Sequence, residues 1–372
     1  MAIATTAPLP RPGQFQALLR SATGGDAALA APWCGPGDTP LLFSRAAWGL
    51  RALADAVAAG RGRPARIWLP DYFCNDATAP LRTAGHALVF YPVAEDLRPD
   101  WTACEAMDDA PDMFVLVHYF GWPAEAIPAR AFCDARGALL VEDAAHMLAP
   151  GPGIGAMGDA TLWSLYKHLP VPDGGLLTLR RDGAVGTAAV TRAAAILGTV
   201  APVAGGWIAR RAMQTLLPIL AGRLRSTPLP FDRDPAPGPL PLTPAISGMA
   251  RRMLAALGGN IATIATQRRA NEAAVRGALA HADGLRPLLA PQAGFVPYRA
   301  VFRGDDERAA RRWYDRLAAR NAVESWPDLP PEVRAVPDRH RAALALRNSI
   351  IALPVHADRT PEALAAAYGG AL

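Results

Sequence analysis

Residues 161–175 read T-L-W-S-L-Y-K-H-L-P-V-P-D-G-G, an apolar run that ends in a lysine and is followed, six positions on, by an acidic residue and a glycine pair. Lys167 is the chain's single lysine, and the other 37 of its 38 basic residues are arginine. Arginine serves wherever only positive charge or stem packing is needed. It cannot act as a nucleophilic amine, because guanidinium stays protonated and forms no imine with a carbonyl. The plain alternative is a leftover surface lysine. The position of Lys167, at the end of a strand-like run, argues instead for its amine.

Working outward from this run, short and nearly continuous apolar stretches recur. They are Leu41 to Phe43, Arg66 to Leu69, Ala87 to Tyr91, Met113 to Tyr119, Ala138 to Val141, Ala160 to Leu165 and Leu176 to Leu179. Such runs suit strands covered on both faces. Helical patterns lie between several of them: Ser44 reads as the N-cap of a helix closing at Gly60, and Ala124 to Arg136 is another. The spacing predicts an α/β, three-layer architecture around a mostly parallel sheet. Residues 226–244 then hold seven prolines in nineteen positions and read as a stiff connector. Beyond it, Ile246, Met249, Met253, Leu257, Ile261 and Ile264 predict one long amphipathic helix. The tail reads strand (Phe295 to Phe302), helix (Asp305 to Arg320), strand (Ser349 to Leu353) and helix (Thr360 to Tyr368). Two units follow from this, a large α/β domain over 1–240 and, over 241–372, the long helix with a smaller α+β domain.

The 372 residues are 51% apolar and 19% charged, which is ordinary for a globular protein. The net charge of +5 comes from scattered arginines such as Arg51, Arg61, Arg63 and Arg66, with no basic block interleaved with aromatics. A nucleic-acid partner is therefore not indicated, and anionic small molecules such as phosphorylated ligands fit better. Cys34, Cys74, Cys104 and Cys133 show neither a C-x-x-C pair nor metal-ligand spacing, as expected of reduced thiols in the cytoplasm. The first residues show no secretory signal pattern. The uncharged run Ala193 to Ala209 has 17 residues and contains Pro202, so it is short and poorly built for a membrane span. It reads as buried helix or subunit contact, with a membrane-surface role as the minor alternative.

In open α/β sheets, ligands sit beyond the carboxyl ends of the strands. Asp143 ends A-L-L-V-E-D, with His146 three residues on. Lys167 follows Ser164 at the end of another run. At Ser44, a strand gives way to a helix whose first N–H groups and positive dipole end form a phosphate seat. Each signal alone has a bland reading: a carboxylate capping a helix, a structural histidine, an ordinary N-cap. Together they fit pyridoxal 5′-phosphate (PLP), which needs an amine for a Schiff base, a carboxylate on the pyridinium nitrogen and a phosphate cradle. Asp143 would hold the ring nitrogen and Lys167 would carry the aldehyde, then move protons. Ser44 and Ser164 would take the phosphate, and His146 would reach the O3′ side of the ring. Burial is expected to lower the Lys167 pKa towards the working range.

The chain also resembles the DegT/DnrJ/StrS family of PLP-dependent aminotransferases, which have the type I, aspartate-aminotransferase-like fold. The resemblance rests on V-H-Y-F-G-W-P at 117–123, L-L-V-E-D-A-A-H at 139–146, S-L-Y-K-H-L-P-V-P-D-G-G at 164–175 and I-A-L-P-V-H at 351–356. It implies Asp143 at the ring nitrogen, His146 beside it and Lys167 as the Schiff-base residue. It also implies Ser44-Arg45-Ala46 as the phosphate loop, Phe73 or Tyr72 as the aromatic stacked on the ring, and a homodimer. Two departures stand out. The serine lies three residues before the lysine where the family usually has five, and residues 180–244 do not read like the usual nucleotide-sugar segment.

The resemblance implies transfer of an amino group from a donor such as glutamate to a keto acceptor, for instance a nucleotide-linked keto-sugar. PLP-dependent elimination or dehydration and a non-catalytic regulatory role are the alternatives. The family's dehydratases replace the lysine by histidine, which directs attention to His168. A desulfurase would need a cysteine on an active-site loop, and none of the four is evidently so placed. The apolar 193–224 stretch leaves room for a lipid-linked acceptor.

Overall fold

A computed structural model describes residues 5–15, 25–198, 205–216, 231, 243–257, 260–292, 294–325 and 328–371. Seven strands form the main sheet: β1 Thr39–Phe43, β2 Arg66–Pro70, β3 Ala87–Tyr91, β4 Met113–Val117, β5 Leu139–Asp143, β6 Ala160–Ser164 and β7 Gly175–Leu179. Their spatial order is β1-β7-β6-β5-β4-β2-β3. β7 alone runs against its two neighbours, so the other six point the same way. The expected mostly parallel sheet is present, with the strand after the lysine turn as its reversed member. β2, β4, β6 and β7 are buried almost throughout, which is why their sequences run apolar instead of alternating.

The carboxyl ends of β1, β2, β4, β5 and β6 converge on one edge of the sheet. That brings together the residues after Phe43 and Pro70, Val117 itself, Asp143 and Ser164, from positions more than a hundred residues apart. The helix Ala46–Arg61 lies on the sheet beside β7 and β6, with Leu50, Ala52, Leu53, Ala54 and Ala56 buried. It ends one residue beyond the expected Gly60, and Gly62 closes it with φ at 66°. Its N-cap is Arg45, not Ser44. The Ser44 hydroxyl instead donates to the Thr243 carbonyl at 2.7 Å.

The long helix expected from Ile246 to Ile264 is two helices, Gly248–Leu257 and Ile261–Ala278, with Asn260 as the N-cap of the second. Helical spacing continues across Gly258-Gly259-Asn260, so periodicity counted on the apolar residues alone joined them. A second, three-stranded antiparallel sheet follows, with β8 Leu285–Pro287, β9 Arg299–Gly304 and β10 Ile350–Pro354 in the order β10-β9-β8. Helices Glu307–Ala318 and Pro361–Gly369 flank it, capped by the side chains of Asp306 and Thr360. The strand expected at Phe295 starts at Arg299, because Pro297 falls inside the first half of that run. The short helices Asn75–Thr83, Pro331–Ala335 and Arg341–Arg347 had no clear pattern in the sequence.

Most of the Pro-rich connector, and with it the boundary expected at 240, lies outside the described residues. So do 199–204 and 217–224 of the apolar stretch. The described parts of that stretch include portions of two separate helices, Thr187–Ala195 and Gly205–Leu216, with 196–198 outside them. Among the described residues, no helix is long and apolar enough to cross a membrane.

Candidate active site

A cavity of about 220 Å³ opens at the carboxyl ends of the parallel strands. Its walls include Arg45, Ala46, Ala47, Phe73, Cys74, Asp76, Asp143, His146, Ser164, Tyr166 and Lys167. Seven of the nine residues singled out from the sequence are therefore in one place. The two that are not are Ser44, buried with its hydroxyl committed to Thr243, and Tyr72. Tyr72 is fully buried, its ring tilted against Tyr119 at 5.7 Å, so Phe73 is the aromatic of that pair that faces the cavity.

Lys167 sits in a short helix, Leu165–His168, directly after β6. Its pKa differs from the expectation. Burial pulls the ammonium down, but the acidic groups facing it, Tyr298, Tyr166, Cys74 and Asp143, outweigh that, and the net direction is up. Of those four, Asp143 is the one carboxyl; the others are phenols and a thiol. The converse holds at Asp143. Burial pushes its carboxyl up, against the Ala145 N–H, which donates to it at 2.9 Å, and against Lys167. Amine and carboxylate thus share a poorly solvated pocket, each favouring the other's charge.

His146 is sandwiched between two rings, Phe120 at 5.3 Å and Tyr298 at 4.6 Å. Its Nδ1 accepts the Phe120 N–H at 3.2 Å, which puts the proton of the neutral ring on Nε2. Burial first, then Lys167, His168 and Arg299, push its pKa well down, so the ring is neutral. His168, next to the lysine, is buried against Tyr298 at 5.3 Å and is not part of the cavity wall. The wholly buried Arg268 donates to the carbonyls of Pro297 and Tyr298 at 3.0 and 3.2 Å, and burial pushes it down to about 9.

The anion end of the cavity is built by close backbone approach. Ala46 and Ala47, the first residues of their helix, have N–H groups that intrahelical bonding leaves free. Arg45 lies over the Tyr166 ring at 4.3 Å. The D-G-G closure explains how β7 meets this helix start. Asp173 accepts the Ser247 N–H at 2.9 Å, and Gly174 donates to the Ser44 carbonyl at 2.9 Å. A Cβ on Gly175 would stand 2.2 Å from the Arg45 carbonyl carbon and 2.3 Å from the Ala46 nitrogen. Both obstacles are backbone, so relief requires moving the cradle. Gly175→Ala is expected to cost about 3 kcal/mol of stability, the upper range for overpacking. It should also weaken binding of phosphate-bearing ligands; urea denaturation and a pyridoxal phosphate titration check the two effects.

Three consecutive residues of V-H-Y-F-G-W-P each hold a cavity residue or the neighbour of one. His118 donates through Nε2 to Glu142 at 2.9 Å, the Tyr119 hydroxyl donates to the Tyr72 carbonyl at 2.6 Å, and Phe120 holds His146. Glu142 also accepts the N–H groups of Gly155, Met157 and Gly158 at 2.7, 2.9 and 2.6 Å. Burial alone would push its carboxyl up; His118 and these donors reverse that, and the net direction is down. Its stabilising contribution is therefore present above the ordinary glutamate value and lost as pH falls through the lowered one. Glu142→Gln is expected to cost about 3 kcal/mol near neutrality. In denaturant titrations, the deficit should narrow as the pH is taken down through the carboxylate range.

Tyr166, Cys74, Asp76 and Tyr298 were not found from the sequence. Tyr166 had a usable signal, being adjacent to the lysine. Cys74 is the most instructive, since it does lie in the wall beside Phe73. Burial, foremost, pushes its thiol up to about 11, the opposite of what a thiolate nucleophile needs.

The residues fit PLP: a carboxylate and an amine in one cavity, an aromatic wall, and a backbone cradle at a helix start. The fold is that of the type I PLP-dependent aminotransferases. Over its whole length the chain is similar to the aminotransferase TlmJ from Streptoalloteichus hindustanus, with a TM-score of 0.72 at 20% identity, covering 97% of that chain. It is similar too to PseC of Helicobacter pylori, an aminotransferase involved in pseudoaminic acid biosynthesis, with a TM-score of 0.73 at 12% identity over 99% of that chain. Residues 85–198, which carry Asp143, His146 and Lys167, match the model of the DegT/DnrJ/EryC1/StrS aminotransferase family. A dTDP-4-dehydro-2,3,6-trideoxy-D-glucose 4-aminotransferase of Saccharopolyspora spinosa is 30% identical over 147 residues, 38% of this chain. The match spans about a third of that relative's length, 32%.

Proposed function

We propose that the protein is a PLP-dependent aminotransferase that moves an amino group from a donor such as glutamate to a keto acceptor, a nucleotide-linked keto-sugar. The observation that carries this reading is the meeting of the chain's single lysine with the Asp143 carboxylate in one cavity that ends at a helix start. The Saccharopolyspora relative, named for a dTDP-keto-sugar, supports the acceptor class. Bound PLP supplies an aldehyde that exchanges amines and a ring that accepts electron density from the substrate carbon.

Each side chain has a part in this. Asp143, buried beside Lys167, would keep the ring nitrogen protonated. Lys167 Nζ would hold the aldehyde carbon between turnovers and, once released, carry the proton between the substrate carbon and the cofactor. Phe73 would cover one face of the ring, and His146, neutral with its proton on Nε2, would donate at the ring's edge. The N–H groups of Ala46 and Ala47, with Arg45 and Ser164, would take the phosphate; the Ser44 hydroxyl would not, because it already donates to Thr243.

His168 offers no route to the dehydratase reading, since its ring is packed against Tyr298 and does not line the cavity. A homodimer of a large unit over 1–240 and a smaller C-terminal one, working in the cytoplasm, is part of the proposal.

Glutamate added to the PLP-loaded protein is expected to remove the visible cofactor band and release one equivalent of 2-oxoglutarate per site. A dTDP-linked 4-keto-sugar should then restore the band. Failure of every amino acid tried to yield a keto acid would remove the transaminase reading. Full activity on that soluble sugar, with no vesicle association, would remove a lipid-linked acceptor.

A further inference from the structure

The stretch after β2 carries Phe73, Cys74, Asp76 and Ala77, four residues of the cavity wall. Residues 328–340, from far down the chain, grip that stretch on both sides of Phe73. On one side, His340 Nδ1 lies 2.8 Å from Asp71 Oδ2. On the other, Asp328 Oδ1 accepts the Asn75 N–H at 3.3 Å. Glu332 takes both arms of the Arg82 guanidinium, at 2.9 and 2.7 Å. Arg82 in turn donates to Asn75 Oδ1 and Thr78 Oγ1, each at 2.6 Å, so it braces the start of the helix Asn75–Thr83.

These contacts are unequal. The Arg82 and Glu332 side chains are 30% and 44% exposed, and such a pair is worth little once solvent screens it. Asp71 and His340 are 0% and 5% exposed, so losing one partner strands the other without water. Asp71 is also a fixed node. Its second oxygen accepts the Val93 N–H at 3.0 Å, and its own N–H donates to the Tyr91 carbonyl at 2.8 Å. Two residues further on is Phe73, whose neighbour Tyr72 is held through its carbonyl by Tyr119.

We propose that His340 is a positioning residue: acting through Asp71, it holds Phe73 in place against the cofactor ring, so that docking of the 328–340 segment and capture of PLP are one linked event. This rests on the PLP reading above. The competing explanation is that His340 staples the fold and nothing more. The two differ in what happens to the cofactor in molecules that have folded.

The test uses the full-length apoprotein titrated with PLP, following visible absorbance and the circular dichroism that the asymmetric pocket induces in the cofactor band. Melting temperatures are taken on the same samples. His340→Leu is expected to weaken PLP binding about tenfold, the equivalent of an aromatic contact worth roughly 1.4 kcal/mol. The induced dichroism should fall with it. His340→Asn, whose amide nitrogen can stand where Nδ1 donates, is expected to return both to within about threefold of the wild type. Wild-type affinity and dichroism in His340→Leu, whatever its melting temperature, would overturn the proposal. Should that variant not fold, Asp71→Asn is read the same way, and unchanged binding there overturns it too. If the wild type itself forms no lysine-bound cofactor band, the PLP reading has failed and this inference goes with it.

Discussion

Lys167→Arg is expected to fold, keep its positive charge and lose transamination by about four orders of magnitude or more, the scale on which nucleophilic and proton-transfer roles act together. The substitution isolates the amine. Guanidinium cannot form the covalent link and cannot give up a proton at neutral pH, while its charge still faces Asp143. The variant should therefore retain much of its affinity for the phosphate end of PLP and none of the visible lysine-bound band. Steady-state rates, compared with equilibrium dialysis of PLP, distinguish loss of chemistry from loss of binding. An arginine variant with turnover within about tenfold of the wild type would mean that Lys167 does no covalent work.

Asp143→Asn is expected to move stability and activity in opposite directions. The Asp143 carboxyl is raised in the fold, chiefly by burial. A raised carboxyl binds its proton more tightly folded than unfolded, so its favourable contribution is complete below the ordinary aspartate value. That contribution is lost as pH rises through the raised one. The charged form is thus the costlier one in the fold, and asparagine removes that ionisation without changing shape. The variant's apoprotein should melt higher than the wild type at neutral pH, with the gap closing as pH is lowered through the carboxylate range. Turnover should fall by about 10²–10³-fold, the usual cost of one preorganised electrostatic partner. Calorimetry across pH and single-turnover rates measure the two halves. A variant that is both less stable as apoprotein and fully active would contradict the place given to Asp143.

The parallel strands and their ends were legible because burial on both faces leaves continuous apolar runs, and a chemical group at the end of such a run points to the sheet edge. Asp143, Ser164 and Lys167 were found that way, and Gly174-Gly175 had a visible reason once Arg45 and Ala46 lay against them. The rest depended on three-dimensional neighbours. Ser44 and Tyr72 had the right spacing but the wrong direction; only packing against Thr243 and Tyr119 reveals it. The rise in the Lys167 pKa depends on Tyr298, 131 positions downstream. The grip of His340 on Asp71 spans 269 positions and leaves no periodic trace. Two helices read as one because the apolar spacing of Gly248–Leu257 continues in phase into Ile261–Ala278.

The assignment of the amine has a direct chemical readout, since the chain offers one lysine and no other side-chain amine. PLP-loaded protein reduced with borohydride and digested should give a single pyridoxyl-labelled peptide, the one containing T-L-W-S-L-Y-K-H-L. A label at the chain's α-amino group in its place, or no label with PLP in excess, would contradict the cofactor chemistry assigned to this cavity.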